Sequence, residues 1–172
     1  MRDWRQAGLV LAATAVLIGG PVLISANVPT KQTPVGAERI EVTAPGDSPD
    51  TVGFTGVNGW SRRPTGDQTT ALLDAPDGSV LLVTVTNGVT DLPAALEWRR
   101  KVLGLQAFDA VFDGGEIGNP AGFHGLTCRA ATSSGVCAVI GKDNLVVSVA
   151  LAGGGARLPE LLPIVQSMQV AS

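Results

Sequence analysis

Apolar positions in this 172-residue chain follow different periods in different segments. Ala7 to Val28 is an uncharged apolar run. Thr70 to Asp74 and Ser79 to Thr86 alternate apolar with Thr or Ser, the signature of strands with one buried face, and the turn residues Ala75-Pro76-Asp77-Gly78 join them. On that reading Leu81, Val83 and Val85 point inward, while Thr84 and Thr86 point away. From Leu92 to Leu105 the spacing becomes helical, with Thr90 or Asp91 as cap and Pro93 in the first turn, where a missing N–H costs nothing. Leu92, Ala95, Leu96, Trp98, Val102 and Leu103 form its apolar face, and Arg99 is the charged residue that falls inside that arc.

Three further strands are expected: Ala107 to Asp113, a hairpin of Leu126 to Ala131 with Val136 to Ile140, and Leu145 to Leu151 after the turn Gly141-Lys142-Asp143-Asn144. Phe108, Ala110 and Phe112 share one side of the first. Gly114 to Gly125, with its Gly, Asn and Pro, reads as a mobile loop. Arg157 to Val170 reads as a closing helix that Pro163 would interrupt unless it starts only one turn earlier. Asn27 to Gly53, rich in Pro, Thr, Gly and acidic residues, reads as a stalk or linker in which only Ile40 and Val42 suggest a short extended piece. The expected organisation is thus an N-terminal anchor at 1–28, a stalk at 29–53 and a domain at 54–172 of α+β class, an antiparallel sheet packed with two helices.

The apolar run matches the roughly 20 residues a membrane-spanning helix needs. Arg2 and Arg5 before it would stay on the cytoplasmic side and place the remainder outside the cytoplasm. A cleavable signal peptide is the competing reading, with a cut near Ser25-Ala26-Asn27; the length of the run and the large Ile24 argue for an uncleaved single-span anchor. No cysteine follows the run at a position that could carry a lipid. Beyond Arg5, ten basic side chains face fourteen acidic ones, a balance that argues against nucleic-acid binding through bulk charge. Cys128 and Cys137 are the two cysteines, and an extracytoplasmic setting with hairpin spacing points to a disulfide across the strands.

A Gly59-Trp60 near the start, a strand hairpin, a helix, antiparallel strands and a closing helix ending in Ile164-Val165-Gln166-Ser167-Met168 together resemble the Mog1/PsbP-like fold. Exported actinobacterial proteins of the LpqN lipoprotein type are similar, and an arginine bias among the basic residues fits coding from such a G+C-rich genome. The resemblance spans about residues 54–170. It implies small accessory or binding modules and brings no catalytic motif. A helical anchor here stands where those lipoproteins carry a lipidated cysteine.

No catalytic set assembles from the sequence. His124 is the single histidine, so the usual zinc ligand sets and a hydrolase triad lack members, and neither a metal nor a cofactor is expected. Ser133 and Ser134 are turn formers, and Gly114-Gly115 and Gly153-Gly154-Gly155 lack the context of phosphate loops. Asp109, Asp113 and Glu116 cluster in sequence, as carboxylates that perform acid–base work can, but Asp109 and Asp113, four apart on one strand, would stand about 13 Å apart, too far for a dyad, and a solvated strand face is expected. Arg99 within an apolar face calls for a partner, with Asp109 or Asp113 as candidates, unless its long stem reaches the helix edge. Trp98, Arg99 and His124 are therefore the candidate contacts for a partner or ligand. The expected function is a non-enzymatic, membrane-anchored accessory or adaptor of a cell-envelope assembly, with integral membrane or envelope partners. The alternative is an exported module that binds a lipid or envelope precursor, which requires a concave apolar pocket of roughly 300 Å³ or more.

Overall fold

The computed structural model describes residues 32–46 and 49–171. The anchor at 1–28, and the membrane contact through residues 7–28, lie outside the described residues. Among those described, no helix is long and apolar enough to cross a membrane.

Strands β1 (Thr33–Pro34), β2 (Ile40–Thr43), β3 (Thr51–Phe54) and β4 (Ser61–Arg63) come first. The folded unit therefore begins at Gln32, and the described part of the stretch expected to be a stalk belongs to it. Ile40, Val42 and Val52 are buried in the main core, spaced two apart within strands so short that Pro, Gly and Asp around them dominate the composition. β5 (Thr70–Asp74) and β6 (Val80–Thr86) then form the expected hairpin, and helix α1 (Leu92–Leu105) follows with the predicted bounds. The Asp91 carboxylate accepts the Ala94 N–H at 3.1 Å and caps the helix.

β7 (Ala110–Gly118), β8 (His124–Ala130), β9 (Gly135–Lys142) and β10 (Leu145–Ala152) complete the main sheet. Its eight strands lie in the order β1-β4-β5-β6-β10-β9-β8-β7, and each neighbouring pair is antiparallel. Helix α2 (Leu158–Gln166) is shorter than expected and contains Pro163. The chain leaves it to form β11 (Gln169–Val170), which with β3 and β2 makes a second, three-stranded sheet in the order β11-β3-β2. Among the described residues, the α+β architecture with an antiparallel sheet and two helices is as the sequence indicates.

Strand alternation divides the core between the two faces of the main sheet. One face, with Leu81, Val83, Ile140 and Val149, packs against Val42, Val52 and Phe54 of the small sheet and Leu161 and Ile164 of α2. The other, with Cys128, Cys137, Val139, Val146 and Ala150, packs against Leu96 and Leu103 of α1. The residues of α1 that turn inward are Leu96, Arg99 and Leu103, at helical intervals of three and four. Trp98 is one step, about 100°, around from Arg99 and is 53% exposed. The helix thus seats the arginine on the sheet and leaves the tryptophan outside.

The segment from Gly114 to Gly125 is largely strand. β7 runs through it by way of a bulge in which residues 113–115 stand opposite the single residue Thr127. Gly114 takes φ +83°, and a Cβ at Gly115 would lie 2.2 Å from Thr127 Oγ1, so both glycines serve this irregularity. The short connection to β8 is held in place: Asn119 Nδ2 donates to the carbonyls of Val165 at 2.8 Å and Met168 at 2.9 Å, and Phe123 is buried.

Candidate functional site

An apolar cleft of about 850 Å³ opens between the first two turns of α1 and the adjoining ends of β7 and β8. Leu92, Pro93, Leu96 and Glu97 form its helix wall. Phe112, Glu116, Ile117 and Gly118 of β7 form the edge, and His124, Gly125 and Leu126 of β8 the floor. The cleft follows from where glycine falls in β7 and β9, on either side of β8. Gly118 pairs with His124, and His124 with Gly141, so this corner of the sheet carries few side chains toward the helix. A Cβ on Gly141 would meet Leu92 Cδ1 at 2.2 Å, so the helix start rests directly on that backbone.

The bulge also decides what the cleft displays. Without residues 113–115 opposite one partner, the position across from Leu126 would be Gly114; with the bulge it is Glu116. Glu116 and His124 are thereby on the same face, at neighbouring paired positions of β7 and β8. His124 is exposed, and its Nδ1 lies 3.4 Å from the Gly122 carbonyl. Glu97 is held by Arg100, whose Nη2 and Nε donate to its carboxylate at 2.6 and 2.9 Å and keep its pKa below the ordinary value. Among the described residues, no group of His, Cys, Asp and Glu is arranged to hold a metal ion.

Arg99 lies elsewhere on α1. It is only 6% exposed, and its guanidinium reaches across the sheet to β6 and β10. Nη2 donates to Thr84 Oγ1 and, at 2.7 Å, to Ser148 Oγ, whose two hydroxyls are themselves 2.6 Å apart. Nε is buried without a hydrogen-bond partner. The expected carboxylate partners are engaged otherwise. Asp113 accepts from Thr127 Oγ1 at 2.6 Å and from the Gly115 N–H at 3.0 Å, which lowers its pKa. Asp109 lies beside Arg100, whose charge it helps to hold. Burial lowers the Arg99 pKa, but arginine starts so high that it stays cationic at neutral pH. Nor does Arg99 reach the helix edge; it is a buried cation solvated by two hydroxyls. Thr84, expected to face away from the core, is the residue that makes this possible.

Of the three candidate contacts, His124 lines the cleft, Arg99 is packed under the helix and Trp98 stands outside it, 5.6 Å from the Arg99 guanidinium carbon. Leu96 and Leu126 are cleft residues whose sequence signal is only that of a helix face and a strand, and Glu116, which the sequence groups with Asp109 and Asp113 on a solvated strand face, lines the cleft without them. Cys128 and Cys137 stand directly opposite each other in the β8–β9 register and form the disulfide, with 4.8 Å between their Cα atoms. It staples the sheet under α1, two register positions from Leu126 in the cleft floor. No family model, curated protein or solved structure matches this chain.

Proposed function

We propose that the domain is an exported, non-enzymatic binding module that holds a small apolar ligand in the cleft between α1 and β7–β8. The observation that carries this reading is the cleft itself. Its volume of about 850 Å³ falls within the roughly 300–1,000 Å³ of small-molecule sites, and like them it is mainly hydrophobic with a few convergent polar groups, here Glu97, Glu116 and His124. The cross-strand disulfide supports delivery to an oxidising compartment, in line with the apolar run that precedes the domain. The succession of strands, α1, strands and α2 supports placing the domain among Mog1/PsbP-like binding modules. A direct test is titration with N-phenyl-1-naphthylamine, an uncharged fluorophore that brightens in apolar sites. Saturable binding that shifts the amide resonances of Gly118, His124 and Gly125 is expected; no binding sinks the reading.

A second reading, a membrane-anchored accessory or adaptor of a cell-envelope assembly, draws on the outer surface of α1. Trp98 and Leu105, seven residues apart and so on one stripe, are 53% and 88% exposed. An apolar stripe of this kind suits a protein partner. Mild-detergent pull-down of the full chain distinguishes the two: a stoichiometric envelope partner lost in Trp98→Ala/Leu105→Ser, with fluorophore binding intact, favours the adaptor.

A further inference from the structure

The geometry points to a ligand class for the cleft: an amphiphile with a single apolar chain and a cationic head, an alkylammonium rather than a fatty acid. The inference rests on the cleft being a ligand site and goes on to its charge. Among the residues that line it there is no lysine or arginine, whereas two are glutamates. The charged groups around it do not balance out. Arg100 is committed to Glu97 by two hydrogen bonds and to the Ala110 carbonyl by a third at 3.0 Å, and Lys101 adds its charge to the same Glu97 carboxylate. Lys142 lies over the Phe123 ring, 5.9 Å from its centroid, and Phe123 belongs to the core on the opposite face of the sheet. Arg99 points away, to Thr84 and Ser148. Asp113, next along β7, is bonded to Thr127. Glu116 is left as a carboxylate beside an apolar surface, outside both ion pairs found among the described residues.

An anionic head in this cleft would face Glu116 with no cation among the lining residues to meet it, and like charges set close together are a standard means of rejecting a ligand. A cationic head gains the Glu116 carboxylate, while the imidazole of His124 offers a ring nitrogen to an ammonium N–H. The alkyl chain then lies along Leu92, Leu96, Phe112 and Leu126. A carboxylate at the rim, partly in water, discriminates by about tenfold, which corresponds to roughly 1.4 kcal/mol.

The experiment displaces N-phenyl-1-naphthylamine from the folded unit, residues 32–172, with dodecylammonium, dodecanol and dodecanoate at neutral pH, each below its micellar concentration. The amine is expected to displace the fluorophore at about tenfold lower concentration than the acid, with the alcohol between them. Glu116→Gln, a surface change, is expected to bring amine and acid within about threefold of each other while leaving the alcohol unmoved. If the acid competes as well as the amine, or if Glu116→Gln leaves the preference intact, the assignment of a cationic head is overturned and the cleft remains a binding site of another class. If the fluorophore itself does not bind, the cleft reading falls as well.

Discussion

The two faces of the main sheet are built on different principles. The face toward α2 and the small sheet is apolar and closed: Phe54, Leu73, Leu81, Ile140 and Leu161 are fully buried there. The face toward α1 is thinner, its buried strand residues being Ala, Cys and Val while the other adds Leu, Ile and Phe to its Val, and it contains a buried arginine, a disulfide and an open cleft. One helix cannot cover four strands with large side chains and still approach closely enough for Leu92 to rest on Gly141. The difference teaches that stability and recognition are separable in this molecule. Large core residues on the first face carry the fold, so the second can leave space beside its helix.

The largest effect expected from that comparison is on the closed face. Phe54→Ala removes a fully buried ring between the two sheets and should cost about 3–5 kcal/mol in urea unfolding. Leu126→Ala, on the half-buried cleft floor, should cost about 1 kcal/mol or less, because its site already borders water. Equal losses would mean that the cleft face carries as much of the fold as the closed one.

The disulfide comes next. Replacing both Cys128 and Cys137 with Ala opens a short loop between adjacent strands, and chain-entropy arguments put the loss at about 2–3 kcal/mol. Because the bridge lies under α1 rather than at the closed face, ligand binding in the cleft should weaken together with stability. Thermal unfolding with and without a reducing agent measures the first effect. Fluorophore titration of the double variant measures the second.

A sharper test of the α1 face is its buried cation. Thr84→Val with Ser148→Ala would strip Arg99 of the hydroxyls that solvate it and should destabilise by about 2–3 kcal/mol, the cost of an uncompensated buried charge. Arg99→Met is expected to be nearly neutral, within about 1 kcal/mol, since it removes the charge and keeps a long apolar stem while Thr84 and Ser148 still bond each other. Should Arg99→Met be the more damaging change, the guanidinium must hold a partner beyond these two hydroxyls.

How much of this was legible beforehand depended on how local the signal was. β5, β6, α1, the disulfide hairpin and β10 each carry their own period over five residues or more, and the sequence places them within a residue or two. β2 and β3 do not. Each is four residues long, and their burial depends on a partner sheet assembled from β11 at the far end of the chain. β7 was cut short because Gly114-Gly115 reads as a loop, when only pairing with Thr127 shows it to be a bulge. Arg99 was correctly placed on the inward arc, but its partners come from strands 15 and 49 residues away, which no helical projection can supply. The cleft was illegible for the same reason: it depends on glycines of β7 and β9 on either side of His124, and only the register brings them together.

The smallest expected effect concerns acid. Asp113 gains hydrogen bonds from Thr127 and the Gly115 N–H in the folded bulge, with Arg129 adding favourable charge, and its folded pKa lies below the ordinary carboxylate value of about 3.9. A carboxylate whose pKa is depressed by folding contributes stability that is present in full above its unfolded value and is lost as pH falls through its folded value. Urea midpoints measured at pH 5 and again below pH 4 should therefore fall less in Asp113→Asn than in the parent, and Thr127→Val should show the same flattening, because both remove the bond that the proton would break. The side chain is exposed, so the effect on stability is slight, yet the bulge it supports is what sets Glu116 opposite Leu126. If Asp113 organises that corner, Asp113→Asn will also narrow the amine-over-acid preference of the cleft at neutral pH; an unchanged preference would show that Gly114 and Gly115 alone hold the bulge.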